Sequence, residues 1–289
     1  MRRAKLPLFT TIQERDLRLD IFRGNLQSVY CAVVIAEADG IISGLERAAE
    51  LAGGLKLNFD ALVAVGDPVG KGAAVCRIAG DPVSLLKGEE AILGALSKSS
   101  GIASAASRAR KAAAGHFRIV CGATKKMPPD LKMTIRKAVT DAGIDMRMAH
   151  QPFVYLDKNY VRIFGSLQKT LEAVVPLNRP IVIQVRGETG PIGQEAVKVA
   201  QQGVAVIMVD TGRLNDLEAV SNELRDAGLR DRVDLAFAGN LKPDDLSGLI
   251  GRDLDAVDIG YGIVDAPCLP MRFDVQAGLA GVCDGISTP

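Results

Sequence analysis

From residue 117 onward the chain alternates two apolar patterns. Short continuous runs recur: FRIVCG at 117–122, FVYL at 153–156, IVIQV at 181–185, VAVIMVD at 204–210, VDLAFAG at 233–239 and DAVDIG at 255–260. Their length and β-branched content predict strands buried on both faces. Between them, residues 131–142, 167–175, 194–202, 216–227 and 244–249 carry apolar positions at helical spacing. Strands with no polar face need cover on the outside, so the alternation predicts a parallel sheet wrapped by helices. Six such units in about 150 residues suit an open, incomplete α/β barrel better than a full eight-fold one.

The first part of the chain reads differently. YCAVVIAEADGIISG, from Tyr30, predicts a strand and a turn, and residues 45–52 a short helix. DALVAVGDPVGKGAAVCRIAGD, residues 60–81, alternates apolar with small residues and is punctuated by Gly66-Asp67-Pro68 and Gly70-Lys71-Gly72, the grammar of a small β-sandwich. Carrier domains share that grammar, but Lys71 sits in no apex motif and reads as a solvated turn lysine. Residues 85–114 are rich in Ala, Ser and Lys, with Ile92, Leu93, Leu96, Ile102 and Ala106 at helical spacing; Ser99-Ser100 and Gly101 are expected to divide them into two helices.

Composition narrows the function classes. Lys plus Arg number 35 against 34 Asp plus Glu, a net charge of +1, so no global field attracts nucleic acid or an anionic membrane, and any anion site must be local. Aromatics make up only 4% and Trp is absent, so the core is built mainly from Ala, Val, Leu and Ile. The five cysteines are widely spaced with no CxxC pair, which fits a reducing cytoplasm, and neither a signal peptide nor an apolar run of membrane-spanning length is legible. The expectation is a cytoplasmic protein.

A parallel barrel places chemistry at the carboxyl ends of its strands. Here those ends read Cys121-Gly122-Ala123-Thr124-Lys125-Lys126, Asp157-Lys158-Asn159, Gln184-Val185-Arg186, Asp210-Thr211-Gly212, Ala238-Gly239-Asn240 and Gly260-Tyr261-Gly262. Lysines converging with glycine-bearing turns suggest an anion pocket, because ammonium groups and open backbone N–H groups both suit phosphate. Each piece also has a plainer reading. Asp210 could cap the following helix, Gly260 and Gly262 could serve a tight turn, and the lysines could be solvated. His116 and His150 are not spaced as a metal pair.

Four segments in order, GEEAILGALSKSSGIAS at 88–104, ATKKMPPDLKMTIRKAV at 123–139, YLDKNY at 155–160 and MVDTG at 208–212, resemble the quinolinate phosphoribosyltransferases, the carboxylating nicotinate-nucleotide pyrophosphorylases, over roughly residues 25–275. The resemblance implies an N-terminal α/β sandwich domain over 1–110, joined by 273–289, and an open α/β barrel over 111–272. It also implies a homodimer whose sites are completed by the partner. Carried over, Glu90, Lys125, Lys126, Arg147, Lys158, Gln184, Asp210, Gly239, Asn240, Gly260 and Gly262 fall at substrate-binding positions. Lys126, Lys158 and Asp210 are the catalytic candidates, with Asp210 as a Mg²⁺ ligand and no organic cofactor.

The departures from the family are chemical. A family Glu-Arg pair is Glu89-Glu90 here, so an anion receptor has become an anion. Lys125-Lys126 keeps the charge of an Arg-Lys pair without the bidentate fork. Arg147 stands for one member of a His-Arg pair, and a one-residue deletion leaves open which. Lys-Asp-Asn has become Asp157-Lys158-Asn159, a glutamate has become Gln184, and Ser-Gly-Gly has become Ala238-Gly239-Asn240. The phosphate side survives better than the dicarboxylate side. The reading is a diverged paralogue that transfers a phosphoribosyl group from its diphosphate donor to a small anionic or heteroaromatic acceptor, not by standard quinolinate turnover. Two alternatives stay open: a non-catalytic binder of a phosphorylated metabolite, and a barrel enzyme using a Schiff base at Lys126 or Lys158.

Overall fold

The computed structural model describes residues 16–276. The amino-terminal region runs α1 (Arg18–Ile21), β1 (Tyr30–Ala36), β2 (Gly40–Ile41), α2 (Leu45–Gly54), β3 (Asn58–Ala61), β4 (Pro68–Val69), β5 (Ala74–Gly80) and α3 (Pro82–Ala113). There follow β6 (Arg118–Val120), α4 (Lys132–Asp141), β7 (Val154–Leu156), α5 (Lys158–Phe164), α6 (Leu167–Val174), β8 (Ile181–Val185), α7 (Ile192–Ala200), β9 (Val206–Asp210), α8 (Leu214–Asp226), β10 (Asp234–Ala238), β11 (Ala256–Asp258), α9 (Tyr261–Val264) and β12 (Met271–Val275).

β1 lies inside a four-stranded antiparallel sheet, ordered β12-β1-β5-β3, so a strand from the far end of the chain closes one edge. Period-two alternation puts Ala32, Val34 and Ala36 on one face, where they pack with Ile78 of β5 and with Leu85, Ile92 and Leu96 of α3. One face of this sheet is therefore covered by helices rather than by a second large sheet, giving an α/β sandwich; β2 and β4 form only a two-stranded accessory pair. Gly66 and Gly72 take left-handed φ of 87° and 91° in the turns flanking β4, and Lys71 is exposed there. The remainder of 273–289 lies outside the described residues, as do residues 1–15.

The expected division at Ser99-Ser100 and Gly101 is absent: α3 is a single helix of 32 residues, capped by the Asp81 carboxylate accepting from the Val83 and Ser84 N–H groups. Its small residues serve contact, not termination. Ser100 Oγ accepts from the Ser43 N–H and donates to the Ser43 carbonyl, Ser104 Oγ accepts from the Ile41 N–H, and Gly101 packs directly on the Pro267 carbonyl.

The second sheet is wholly parallel and ordered β6-β11-β10-β9-β8-β7. β6 and β7 are both edges, so the curl is an open barrel whose seam lies between its first two strands. The pleat sorts the side chains. Val182, Val206, Met208, Ala236 and Ala256 fill the interior, while Ile183, Ile207, Val209, Leu235, Phe237 and Val257 face the helices. Continuing that parity to the carboxyl ends turns Gln184, Asp210 and Asp258 inward, at the mouth.

Candidate active site

The floor of the mouth is a polar layer on an apolar barrel. Tyr155, in the middle of β7, packs beside Met208, and its hydroxyl accepts a hydrogen bond from Gln184 Nε2 at 2.8 Å. The same amide donates to Asp210 Oδ2 at 3.0 Å, and Arg186 Nη1 donates to that oxygen at 2.7 Å. Asp210 therefore does not cap a helix. It is the acceptor on which Gln184 and Arg186 converge, and the residue preceding α8 is Arg213. Burial, followed by the nearby carboxylates of Asp258, Asp210 and Asp157, raises the Tyr155 pKa, keeping its hydroxyl protonated.

Asp258 forms the other side of the floor. Its Oδ1 accepts from the Gly122 N–H at 2.9 Å, and a Cβ at Gly122 would sit 2.9 Å from Oδ2. The carboxylate thus anchors the start of the loop that carries Lys125 and Lys126. Burial pushes the Asp258 carboxyl above its ordinary range, and the Asp210 charge adds to this against the Gly122 N–H and Lys125.

Lys125 and Lys126 are both exposed, but they differ in commitment. Lys125 Nζ lies 3.2 Å from Asp157 Oδ2, an ion pair that bridges the open seam from the end of β6 to the end of β7. Lys126 has no ion pair or side-chain hydrogen bond among the described residues. Asp157 also caps α5 through the Asn159 N–H at 3.0 Å. Burial raises its pKa, but the Asn159 N–H and Lys125 outweigh that and hold it below the ordinary value. Lys158 is the exposed first residue of α5.

The turns after β9, β10 and β11 are locked together by glycines. Gly212 and Gly239 have φ of 70° and 127°, Asn240 adopts a left-handed 55°, and a Cβ at Gly239 would lie 2.2 Å from the Gly212 nitrogen. A Cβ at Gly262 would meet the Leu241 carbonyl at 2.8 Å. The backbone N–H groups separate these turns from the others. That of Gly122 is taken by Asp258 and that of Gly187 by Glu195. Those of Gly239, Asn240, Gly260 and Gly262 have no acceptor among the described residues.

Two candidates are not drawn in. Arg147, in the connection between α4 and β7, is exposed and has no ion pair or side-chain hydrogen bond among the described residues. Glu90 is exposed on α3, between Gly88 and Ile92, which pack into the amino-terminal sheet. Tyr155, Arg186 and Asp258 are mouth groups that the candidate set omits; the signal for them is pleat parity with Gln184 and Asp210. A cleft of about 670 Å³ is at the opposite end of the strands, where Arg230 binds Asp253 and Asp255; those ion pairs tie loops together at the foot of the barrel.

Among the described residues no group of three or more His, Cys, Asp or Glu could hold a metal. Asp210 Oδ2 is already occupied by two donors, leaving Oδ1 for a cation. A Mg²⁺ ion takes near-octahedral oxygen ligands and keeps waters or substrate phosphates, so Asp210 suits it only together with a ligand's own oxygens. No helix among the described residues is long and apolar enough to cross a membrane.

Comparison with known proteins bears on the family and the fold. Residues 18–100 match the quinolinate phosphoribosyl transferase N-terminal domain and residues 102–274 the C-terminal domain of the same family. A probable nicotinate-nucleotide pyrophosphorylase (carboxylating) of Archaeoglobus fulgidus is 27% identical over 253 residues, covering 84% of this chain and 93% of its own. The nicotinate-nucleotide pyrophosphorylase (carboxylating) of Rattus norvegicus is 26% identical over 253 residues, covering 85% and 82%. The crystal structure of NadC from Streptococcus pyogenes superposes with a TM-score of 0.75 at 23% identity, covering 92% of this chain and 93% of that one, and so attests the fold. With both domain matches in register along the chain and the open barrel in place, the protein belongs to the quinolinate phosphoribosyltransferase family.

Proposed function

We propose that the protein is a phosphoribosyltransferase that takes phosphoribosyl diphosphate as donor and a small anionic or heteroaromatic acceptor other than quinolinate. The observation that carries this reading is the pair of interlocked turns after β10 and β11, whose N–H groups at Gly239, Asn240, Gly260 and Gly262 are left without protein acceptors. Open backbone donors at the mouth of a barrel suit a phosphate, and glycine allows the close approach.

Transfer breaks the bond from the ribose anomeric carbon to diphosphate and forms one to the acceptor nucleophile, through an oxocarbenium-like state. Positioning and charge compensation supply most of the rate for such a displacement. The glycine turns hold the 5-phosphate. Lys126 neutralises diphosphate charge, with Lys125 available once its ion pair with Asp157 is exchanged for the ligand, and Lys158 is a further anion contact on the acceptor side of the mouth. Asp210, fixed by Gln184 and Arg186, receives ribose hydroxyl hydrogens and stands next to the developing positive charge. A Mg²⁺ ion arriving with the donor would be held by Asp210 and phosphate oxygens and would neutralise the leaving group. Lys126 and Lys158 are exposed, so the desolvated environment that would favour Schiff-base chemistry is lacking.

Quinolinate is disfavoured because a family arginine is acidic here. Glu90 is exposed on α3 and makes no ion pair or side-chain hydrogen bond among the described residues, which fits a homodimer in which this helix faces the partner's site; light scattering reads that state. The test of function is diphosphate release from phosphoribosyl diphosphate with quinolinate, nicotinate and other heteroaromatic acids offered in turn. Release with an acceptor other than quinolinate supports the reading. Turnover of quinolinate above all others would overturn the acceptor assignment, and no release with any acceptor would overturn the transferase.

A further inference from the structure

A cleft between α5 and the loop after β8 opens beside Asp210. It is lined by Lys158, Gln184, Arg186 and two glutamates, with an apolar wall from Val161 and Leu167. Both glutamates are committed elsewhere. Glu195 is 3% exposed and accepts from the Gly187 N–H at 2.8 Å, the Thr189 N–H at 2.6 Å and Thr189 Oγ1 at 2.7 Å. Glu188 is paired with Arg162 at 3.0 Å. Arg186 is itself paired with Asp210 and Glu195 keeps its charge, so what the cleft offers is open donors and not a net positive charge. Arg186 gives one N–H to Asp210, and its other donors have no acceptor among the described residues, nor does the Lys158 ammonium.

Two features give this arrangement the character of a built site. The buried Glu195 gathers the loop's own N–H groups, so the backbone immediately after Arg186 is held firmly and the guanidinium is pre-organised. Arg186 also touches the carboxylate that the proposed reaction uses, so a ligand bound on its outer edge lies next to the ribose position. A planar guanidinium with free donors matches a carboxylate; the cleft holds only about 20 Å³, so it admits the carboxylate while the ring stays at its opening, beside Asp210.

We infer that Arg186, assisted by Lys158, is a specificity-determining residue that receives the carboxylate of a planar acceptor in this cleft. The inference rests on the phosphoribosyl-transfer reading and names its acceptor side: the phosphate occupies the glycine turns and the carboxylate occupies the Arg186 cleft. It also accounts for an acidic Glu89-Glu90 pair in a protein that still takes an anionic acceptor, because the cation that binds the carboxylate comes from the chain's own barrel.

Isothermal titration of the full chain separates the two sites. The probes are nicotinate, quinolinate and benzoate on one side and ribose 5-phosphate on the other, with wild type, Arg186→Met, Arg186→Lys and Lys158→Met. Arg186→Met is expected to weaken nicotinate or benzoate roughly 10- to 100-fold. Arg186→Lys should fall between that variant and wild type, Lys158→Met should lose less, and ribose 5-phosphate should lose clearly less than the carboxylate in every variant, because its phosphate is held by the glycine turns and Gln184 still holds Asp210. Matching thermal unfolding midpoints confirm that the variants fold. Unchanged carboxylate affinity in Arg186→Met, equal losses for both ligand classes, or no carboxylate binding to wild type would each overturn the subsite. Failure of ribose 5-phosphate to bind wild type is a separate outcome: it would overturn the phosphoribosyl reading, while an Arg186-dependent carboxylate would still support the subsite.

Discussion

Asp258 and the lysine pair set what single residues do at the mouth. Burial, then the Asp210 charge, favours the neutral Asp258 carboxyl in the folded chain. A carboxyl whose folded pKa lies above its unfolded value, near 3.9, binds more protons folded than unfolded, so stability falls as pH rises through that interval. Asp258→Asn keeps an acceptor for the Gly122 N–H and cannot ionise; its stability relative to wild type should increase as pH is raised from about 3.5 to 7 in urea unfolding. A difference independent of pH would show that Asp258 does not titrate on folding. The lysines are ranked by commitment, since Lys125 is paired with Asp157 and Lys126 with nothing among the described residues. Lys126→Met should weaken phosphoribosyl diphosphate by about 1–3 kcal/mol, Lys125→Met by less, and Lys71→Met, on the other sheet, not at all. Equal losses at all three would mean diffuse electrostatics instead of a site. Gln184 and Asp210 were legible because each stands at or next to the end of an apolar run. Tyr155 and Asp258 were not: FVYL and DAVDIG read as strand filler until neighbouring strands fix which pleat face points into the barrel.

At the scale of elements, the six-fold alternation of apolar runs carried the parallel sheet, because strands buried on both faces can hardly be disguised in sequence. Strand ends and helix lengths were less legible. α5 escaped notice because it has only seven residues and none is buried, so no apolar stripe marks it; Asp157 starts it and Gly165 ends it with a left-handed 83°. The continuity of α3 was hidden for the opposite reason. Glycine and serine weaken a helix by propensity, and only tertiary contacts reveal why they are there. Gly101 and Gly94 make this testable on one helix. A Cβ at Gly101 would lie 2.0 Å from the Pro267 carbonyl oxygen, whereas one at Gly94 meets nothing within 4 Å. Gly101→Ala should destabilise the protein by about 2 kcal/mol or more through a forced backbone shift, and Gly94→Ala should be neutral or stabilise it by up to ~1 kcal/mol. Thermal unfolding of the two variants checks the sign; equal effects would mean that α3 does not pack there as described.

For the whole molecule, the near-zero net charge and the local mouth belong together. With no global field, affinity for an anion depends on the few groups that the open barrel gathers, and most of its fixed ion pairs lie elsewhere, including the Arg230 network at the foot. The barrel mouth offers one side made of backbone N–H groups and another made of flexible cations, and the glycine side cannot be replaced by a change of side chain. The most direct measurement is therefore ribose 5-phosphate titrated against wild type and Gly239→Val. A side chain there would need φ near 127° and would collide with the Gly212 nitrogen. The account predicts binding that raises the wild-type unfolding temperature with ligand concentration, and a folded variant in which that shift is lost. Wild type that fails to bind ribose 5-phosphate, or a folded Gly239→Val that binds it equally well, would contradict the assignment of the phosphate site to these turns.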